Sequence, residues 1–205
     1  MQFQPFYQKI REIKPLFSKK DAELLFPTGD ISSQQLSRWC KQGYLLKIKN
    51  GLYLLSGYEN QVPNFFIANA IYYPSYVSLE TALYEYGFIP DVPHTITSVT
   101  TKKTSFVKIN LGQFSYRKIK TDCFIGYEPK RYLKFDVLFA SPEKALVDFF
   151  YLNKQRLQKS EQITELRLNY FSLKEKIDKE KLRHYGSLYK SPLLDRLLKE
   201  LINQF

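Results

Sequence analysis

The sequence predicts an α+β protein of two domains: a small N-terminal one of three helices and a hairpin, and a larger mixed α/β one with a central sheet and C-terminal helices. Three observations carry this. Apolar residues recur at helical spacing near the N-terminus, and an Asn-Gly turn between two apolar arms follows. Residues 95–139 are rich in β-branched and aromatic side chains, interrupted by Gly, Asn, Asp and Pro. From residue 141 onward the pattern is helical, and two segments open on the same Ser-Pro signal.

In order, Phe6, Ile10, Ile13 and Phe17 are spaced by three and four, and Pro5 suits a first helical turn. Ser18 is placed to cap a second helix, KKDAELLF, which is expected to stop at Pro27-Thr28-Gly29. Ser32 or Ser33 opens a third helix that runs to Gly43. YLLKI and GLYLL then flank Lys49-Asn50-Gly51, the strongest short-range hairpin signal in the chain. Three helices and a hairpin in residues 1–57 follow the order of a winged helix-turn-helix. The polar, turn-rich residues 57–63 (GYENQVP) read as a linker to a second domain over residues 64–205.

That domain should begin with a helix near residues 64–72. A second helix is expected in PSYVSLETALYEYG, capped by Ser78, with Glu80 in its first turn and Gly87 at its end. TITSVTT, SFVKINL, QFSYRKIK, CFIGYE and FDVLFA read as strands. SPEKALVDFFYLN reads as a helix with Ser141 as cap, Pro142 first, and Ala145, Leu146, Phe149 and Phe150 as its buried face; SPLLDRLLKELINQ repeats the start at Ser191-Pro192.

The formal charge of +11 favours phosphate-bearing partners. It is unevenly spread: net +5 over residues 1–57, −4 over 58–101, +7 over 102–134 and +3 over 135–205. With no apolar run of membrane-spanning length and no signal-peptide core, a cytoplasmic protein is expected. Cys40 and Cys123 read as reduced, buried thiols. Together with His94 and His184 they form no zinc spacing, so no metal or cofactor is expected.

On the third helix, Gln34, Ser37, Arg38 and Lys41 fall at i, i+3, i+4 and i+7 and share one face, with Ser33 at its start and Lys47 and Lys49 on the hairpin. Leu36, Trp39 and Cys40 lie on the other side. Arg can read guanine, Gln can read adenine, and Ser and Lys can hold phosphates, so double-stranded DNA is the expected partner. Polar helix faces are common on protein surfaces; the order helix, turn, helix, basic hairpin is what distinguishes this one.

Lys102, Lys103, Arg117, Lys118 and Lys120 outline a second basic surface. There Phe114, Tyr116, Lys118 and Lys120 alternate onto one strand face, mixing rings with cations as single-strand binders do; an amphipathic strand with exposed lysines explains the same pattern. Asp122, Glu128 and Lys130 have the residue types of a metal-dependent nuclease site, but Pro129 interrupts them. Asp136, Glu143 and Asp148 read as surface charge or helix-terminal acids. The alternatives to DNA binding are therefore a nuclease and a protein-interaction module, and a non-enzymatic protein is expected.

KIKNGLYLL, PSYVSLETALYEYGFIP with TSVTTKK, FIGYE and SPEKALVDFFYL occur in that order over roughly residues 8–200. With these stretches the chain resembles the AbiEi-type antitoxin and transcriptional regulator family of bacterial abortive-infection (phage-defence), type IV toxin–antitoxin systems. The resemblance implies a winged-helix domain that binds inverted repeats in its own promoter as an autorepressor. It also implies a C-terminal antitoxin domain that opposes a nucleotidyltransferase-like toxin without a stable complex. The helix-and-hairpin residues named above match the family's DNA-reading element in type.

Overall fold

The computed structural model describes residues 2–27, 31–157 and 160–205, the side chains of residues 160 and 161 excepted. Thr28 and Gly29, expected to end the second helix, lie outside the described residues. The chain forms two compact units, Met1–Ile71 and Tyr72–Phe205.

The first unit comprises α1 (Phe3–Ile13), β1 (Leu16–Ser18), α2 (Lys19–Leu25), α3 (Ser33–Lys41), β2 (Leu45–Lys49), β3 (Leu52–Leu55) and α4 (Asn64–Ile71). α1 begins ahead of Pro5 and buries Phe6 and Ile10, while Ile13 at its end is 59% exposed. Ser18 closes a capping box with Asp21: its Oγ accepts from the Asp21 N–H at 3.1 Å, and the carboxylate accepts from the Ser18 N–H at 2.7 Å. Ser32 caps α3 by accepting from the Gln35 N–H at 3.1 Å.

Asn50-Gly51 turns the β2–β3 hairpin, with Gly51 at φ 77°, where a side chain would be strained. β1 has no counterpart in the sequence reading. It pairs antiparallel with β3 and makes a three-stranded sheet in the order β1-β3-β2. Phe6 sits at the centre of the core, its ring 4.7 Å from Trp39, 5.4 Å from Phe17 and 5.4 Å from Phe26, with Ile10, Leu36, Leu45 and Leu55 in the same cluster.

Residues 57–63 are a chain of hydrogen-bonded turns, Tyr58 to Leu55, Gln61 and Val62 to Tyr58, and Phe66 to Pro63. The unit boundary falls after α4, later than the expected linker. One reason lies on the hairpin, where the Lys49 ammonium donates to the Ile71 carbonyl and ties the end of α4 to β2.

In the second unit β4 (Ser75–Val77), β5 (Thr95–Thr100), β6 (Ser105–Ile109), β7 (Gly112–Lys118), β8 (Tyr127–Tyr132) and β9 (Phe135–Ala140) form one sheet in the order β6-β7-β5-β4-β9-β8. The β4–β9 and β5–β7 pairs are parallel and the others antiparallel, so the sheet is mixed. The three-residue β4 is too short to show a periodicity in the sequence, yet it is central. The expected CFIGYE strand starts late: Cys123 lies in a single 3-10 turn, and β8 begins at Tyr127. β8 is an edge strand, which is why it accommodates Pro129.

The helices are α5 (Leu79–Glu85), α6 (Pro142–Asn153), α7 (Ser160–Thr164), α8 (Tyr170–Lys176), α9 (Lys179–Ser187) and α10 (Pro192–Ile202). α6 packs on α5, α9, α10 and β9 and buries every residue from Glu143 to Phe150. Ser141 and Ser191 cap their helices as expected, each with Pro following. Ser78 does not cap α5. Leu79 enters that helix at φ 58°, and Thr97 holds the first turn instead: the Thr81 N–H donates to Thr97 Oγ1 at 3.0 Å, and Thr97 Oγ1 donates to the Ser78 carbonyl at 2.7 Å. No helix among the described residues is long and apolar enough to cross a membrane.

Candidate functional site

Ser32 caps the start of α3, whose Leu36 and Trp39 are buried while the opposite side is open. Ser33, Gln34, Ser37, Arg38 and Lys41 are all exposed and line one open depression on that side. All five expected residues of the helix therefore converge. Cys40, half-buried, packs against the same core as Leu36 and Trp39, and burial pushes its thiol pKa up despite the nearby Lys47 ammonium. Lys47 is exposed on β2. Lys49 is also on the hairpin, but its ammonium is engaged by the Ile71 carbonyl.

The second basic zone is gathered only in part. Lys102 and Lys103 are exposed in the β5–β6 turn, and Lys118 is beside them at the end of β7: its N–H donates to Thr104 Oγ1 at 3.2 Å, and it pairs in register with Thr100, which also accepts from the Lys102 N–H. Arg117 points to the other face and donates to the Leu152 carbonyl at 3.4 Å, and Lys120 donates to the Tyr189 carbonyl at 3.3 Å. Phe114 and Tyr116 are fully buried, so the expected face of alternating rings and cations does not exist as a stacking surface. Their side chains fill the core, and burial alone pushes the Tyr116 hydroxyl pKa upward.

The nuclease-type residues are divided between two elements. Asp122 lies in the 3-10 turn, and Glu128 and Lys130 lie on β8. The Lys130 ammonium sits over three rings, 5.1 Å from Tyr86, 5.3 Å from Tyr132 and 5.0 Å from Phe139. Among the described residues no three His, Cys, Asp or Glu side chains gather as a metal-holding group.

The largest departure from the sequence reading is a buried polar cluster. Asp148, expected at the surface, is fully buried, as are Lys144, Tyr76, Ser78 and Tyr189. The Lys144 ammonium pairs with Asp148 Oδ1 and donates to the Tyr189 hydroxyl at 2.8 Å. The Tyr189 hydroxyl donates to Oδ1 at 2.5 Å; Tyr76 and Ser78 donate to Oδ2 at 2.8 Å and 3.0 Å. Glu143 is in the first turn of α6 as expected, though buried, and Asp136, paired with Arg131 at 2.9 Å, is a surface acid as expected. A legible signal existed: a helix apolar all round is buried all round, so charges on it must find partners inside.

Burial, with the carboxylate alongside, pushes the Tyr76 and Tyr189 hydroxyls well above the usual phenol range. Burial and then Glu128, Glu143 and Glu85 push Tyr86 up to about 12. Phenols raised in the fold ionise first in the unfolded chain. Their stabilisation is complete below about pH 10 and is lost as pH rises through the folded values. Denaturant unfolding followed across the alkaline range should show the second unit weakening above about pH 10, with phenolate absorbance from these tyrosines arriving together with unfolding.

No family model matches the chain, and none of the curated proteins compared with it matches either.

Proposed function

We propose that the chain is a sequence-selective double-stranded DNA-binding protein whose first unit works as a winged helix-turn-helix. α3 lies in the major groove and the β2–β3 hairpin rests on the flanking backbone. The observation that supports this reading is the single open face of Ser33, Gln34, Ser37, Arg38 and Lys41, backed by the buried Leu36 and Trp39. Arg38 offers a planar fork to a guanine edge, Gln34 an amide to an adenine, and Lys41 and Lys47 point charges to phosphates. Ser33, at the start of α3, is placed to meet a phosphate. Lys49 contributes less, because its ammonium is already engaged.

The family resemblance extends the proposal: the protein represses its own promoter at inverted repeats and is the antitoxin to a nucleotidyltransferase-like toxin, with no cofactor and no catalysis of its own. It acts in the cytoplasm.

Gel shifts with the upstream region test the DNA-binding part. Arg38→Ala should cost about 1–3 kcal/mol on the cognate sequence and relax selectivity at one position. Lys41→Ala should weaken cognate and unrelated DNA alike and lower the slope of log affinity against log salt by about one. Equal binding to unrelated DNA by the wild type, or no loss in the Arg38→Ala/Lys41→Ala double variant, would sink the reading. Co-expression with the product of the adjacent gene tests the antitoxin part: relief of growth arrest that survives the double variant separates it from repression.

A further inference from the structure

In the second unit two stretches that DNA binding does not use, FIGYE and SPEK, meet at one cleft of about 370 Å³. Tyr127 and Glu128 at the start of β8 form one wall, Ser141 and Glu143 at the start of α6 another, and Lys176 of α8 with Lys181 and Tyr185 of α9 the third. Gly126, at φ 75°, brings the turn so close that an added Cβ would stand 2.8 Å from the Tyr185 ring and 3.1 Å from Lys144 Cγ. The missing side chain leaves the Tyr185 ring its room beside the turn.

The cleft is formally neutral, two ammonium groups against the carboxylates of Glu128 and Glu143, but the opposite charges are not paired with one another. Both Glu143 oxygens are engaged, Oε2 by the Ser141 hydroxyl at 3.0 Å and Oε1 by the Asp178 N–H at 3.1 Å, so this carboxylate does not pair with the lysines. Lys176 gives one N–H to the Tyr86 carbonyl at 2.9 Å and keeps two. The Lys181 ammonium and the Tyr185 hydroxyl have no hydrogen-bond or ion-pair partner among the described residues. Two ammonium groups and a phenol therefore face a space of small-ligand size, with an exposed carboxylate, Glu128, at its edge.

We propose that this cleft binds a small phosphate monoester. Lys176, Lys181 and the Tyr185 hydroxyl hold the phosphate oxygens, and Glu128 accepts a hydrogen bond from a hydroxyl of the esterified body.

Isothermal titration of the full chain with ribose 5-phosphate, AMP, inorganic phosphate and ribose tests this. Ribose 5-phosphate or AMP should bind, ribose should not, and Lys176→Ala and Lys181→Ala should each weaken binding by about tenfold or more. Lys181 is exposed, so its variant should fold. Arg38→Ala/Lys41→Ala should leave the titration unchanged, which separates this site from the DNA face. No binding by either ester, no loss in the Lys176 and Lys181 variants, or loss only in the Arg38/Lys41 variant would overturn the proposal. Inorganic phosphate binding as tightly as the esters, with Glu128→Gln without effect, would overturn the ester assignment and leave a free-phosphate site.

Discussion

Asp148→Ala should destabilise the second unit by about 3–5 kcal/mol, because it leaves the Lys144 ammonium buried without a counter-charge, with the Tyr189 hydroxyl as its hydrogen-bond partner. It also strips Tyr76 and Ser78 of their acceptor. The double variant Lys144→Met/Asp148→Leu removes both charges at similar volume and should recover the part of the loss due to the unpaired ammonium, while the Tyr76, Ser78 and Tyr189 hydroxyls stay without their acceptor. Chemical denaturation followed by near-ultraviolet tyrosine dichroism reads mainly the second unit, which holds most of the tyrosines, while Trp39 fluorescence follows the first. A loss below about 1 kcal/mol for Asp148→Ala, the range of an exposed pair, would show that the cluster is solvated in solution.

Phe6→Ala should cost the first unit about 3–5 kcal/mol, the range for emptying a buried aromatic site. The ring fills the space between α1 and α3 and touches Trp39, Phe17 and Phe26, so no neighbour can collapse into the void without leaving its own contacts. Small domains are stable by about 5–15 kcal/mol, so the loss would be a large part of the total. Trp39 is the only tryptophan of the chain, so its fluorescence reports this unit alone. In the proposed function operator binding should fall with it, because Trp39 anchors α3. Retained binding with an unfolded fluorescence signature would contradict that role.

What could be read from the sequence was local chemistry. Ser18, Ser32, Ser141 and Ser191 announced helix starts through their own hydroxyls, and Asn50-Gly51 announced a turn that needs a positive φ. The five-residue face of α3 was legible for the same reason, since helical spacing alone fixes it. The short strands β1 and β4 were not legible, because three residues are held by pairing partners far along the chain. Ser78 shows the failure most clearly: its sequence context is that of a cap, but tertiary partners, Asp148 and Thr97, took both its hydroxyl and its carbonyl. Lys144 and Asp148, four apart on a helix, look like any surface pair unless the apolar residues on every side of α6 are weighed with them. For the rings of Phe114 and Tyr116 two readings stayed open, because alternation tells which residues share a face, not which face is covered.

The buried carboxylate of Asp148 also bears on how the chain is made. Its partners lie 72 residues earlier at Tyr76, 70 earlier at Ser78 and 41 later at Tyr189. During synthesis α6 emerges with its charged pair in place, yet the hydroxyl that closes the cluster is still inside the ribosome. Until residue 189 is free, one side of α6 must stay wet, and the second unit cannot finish its core from the N-terminal side alone.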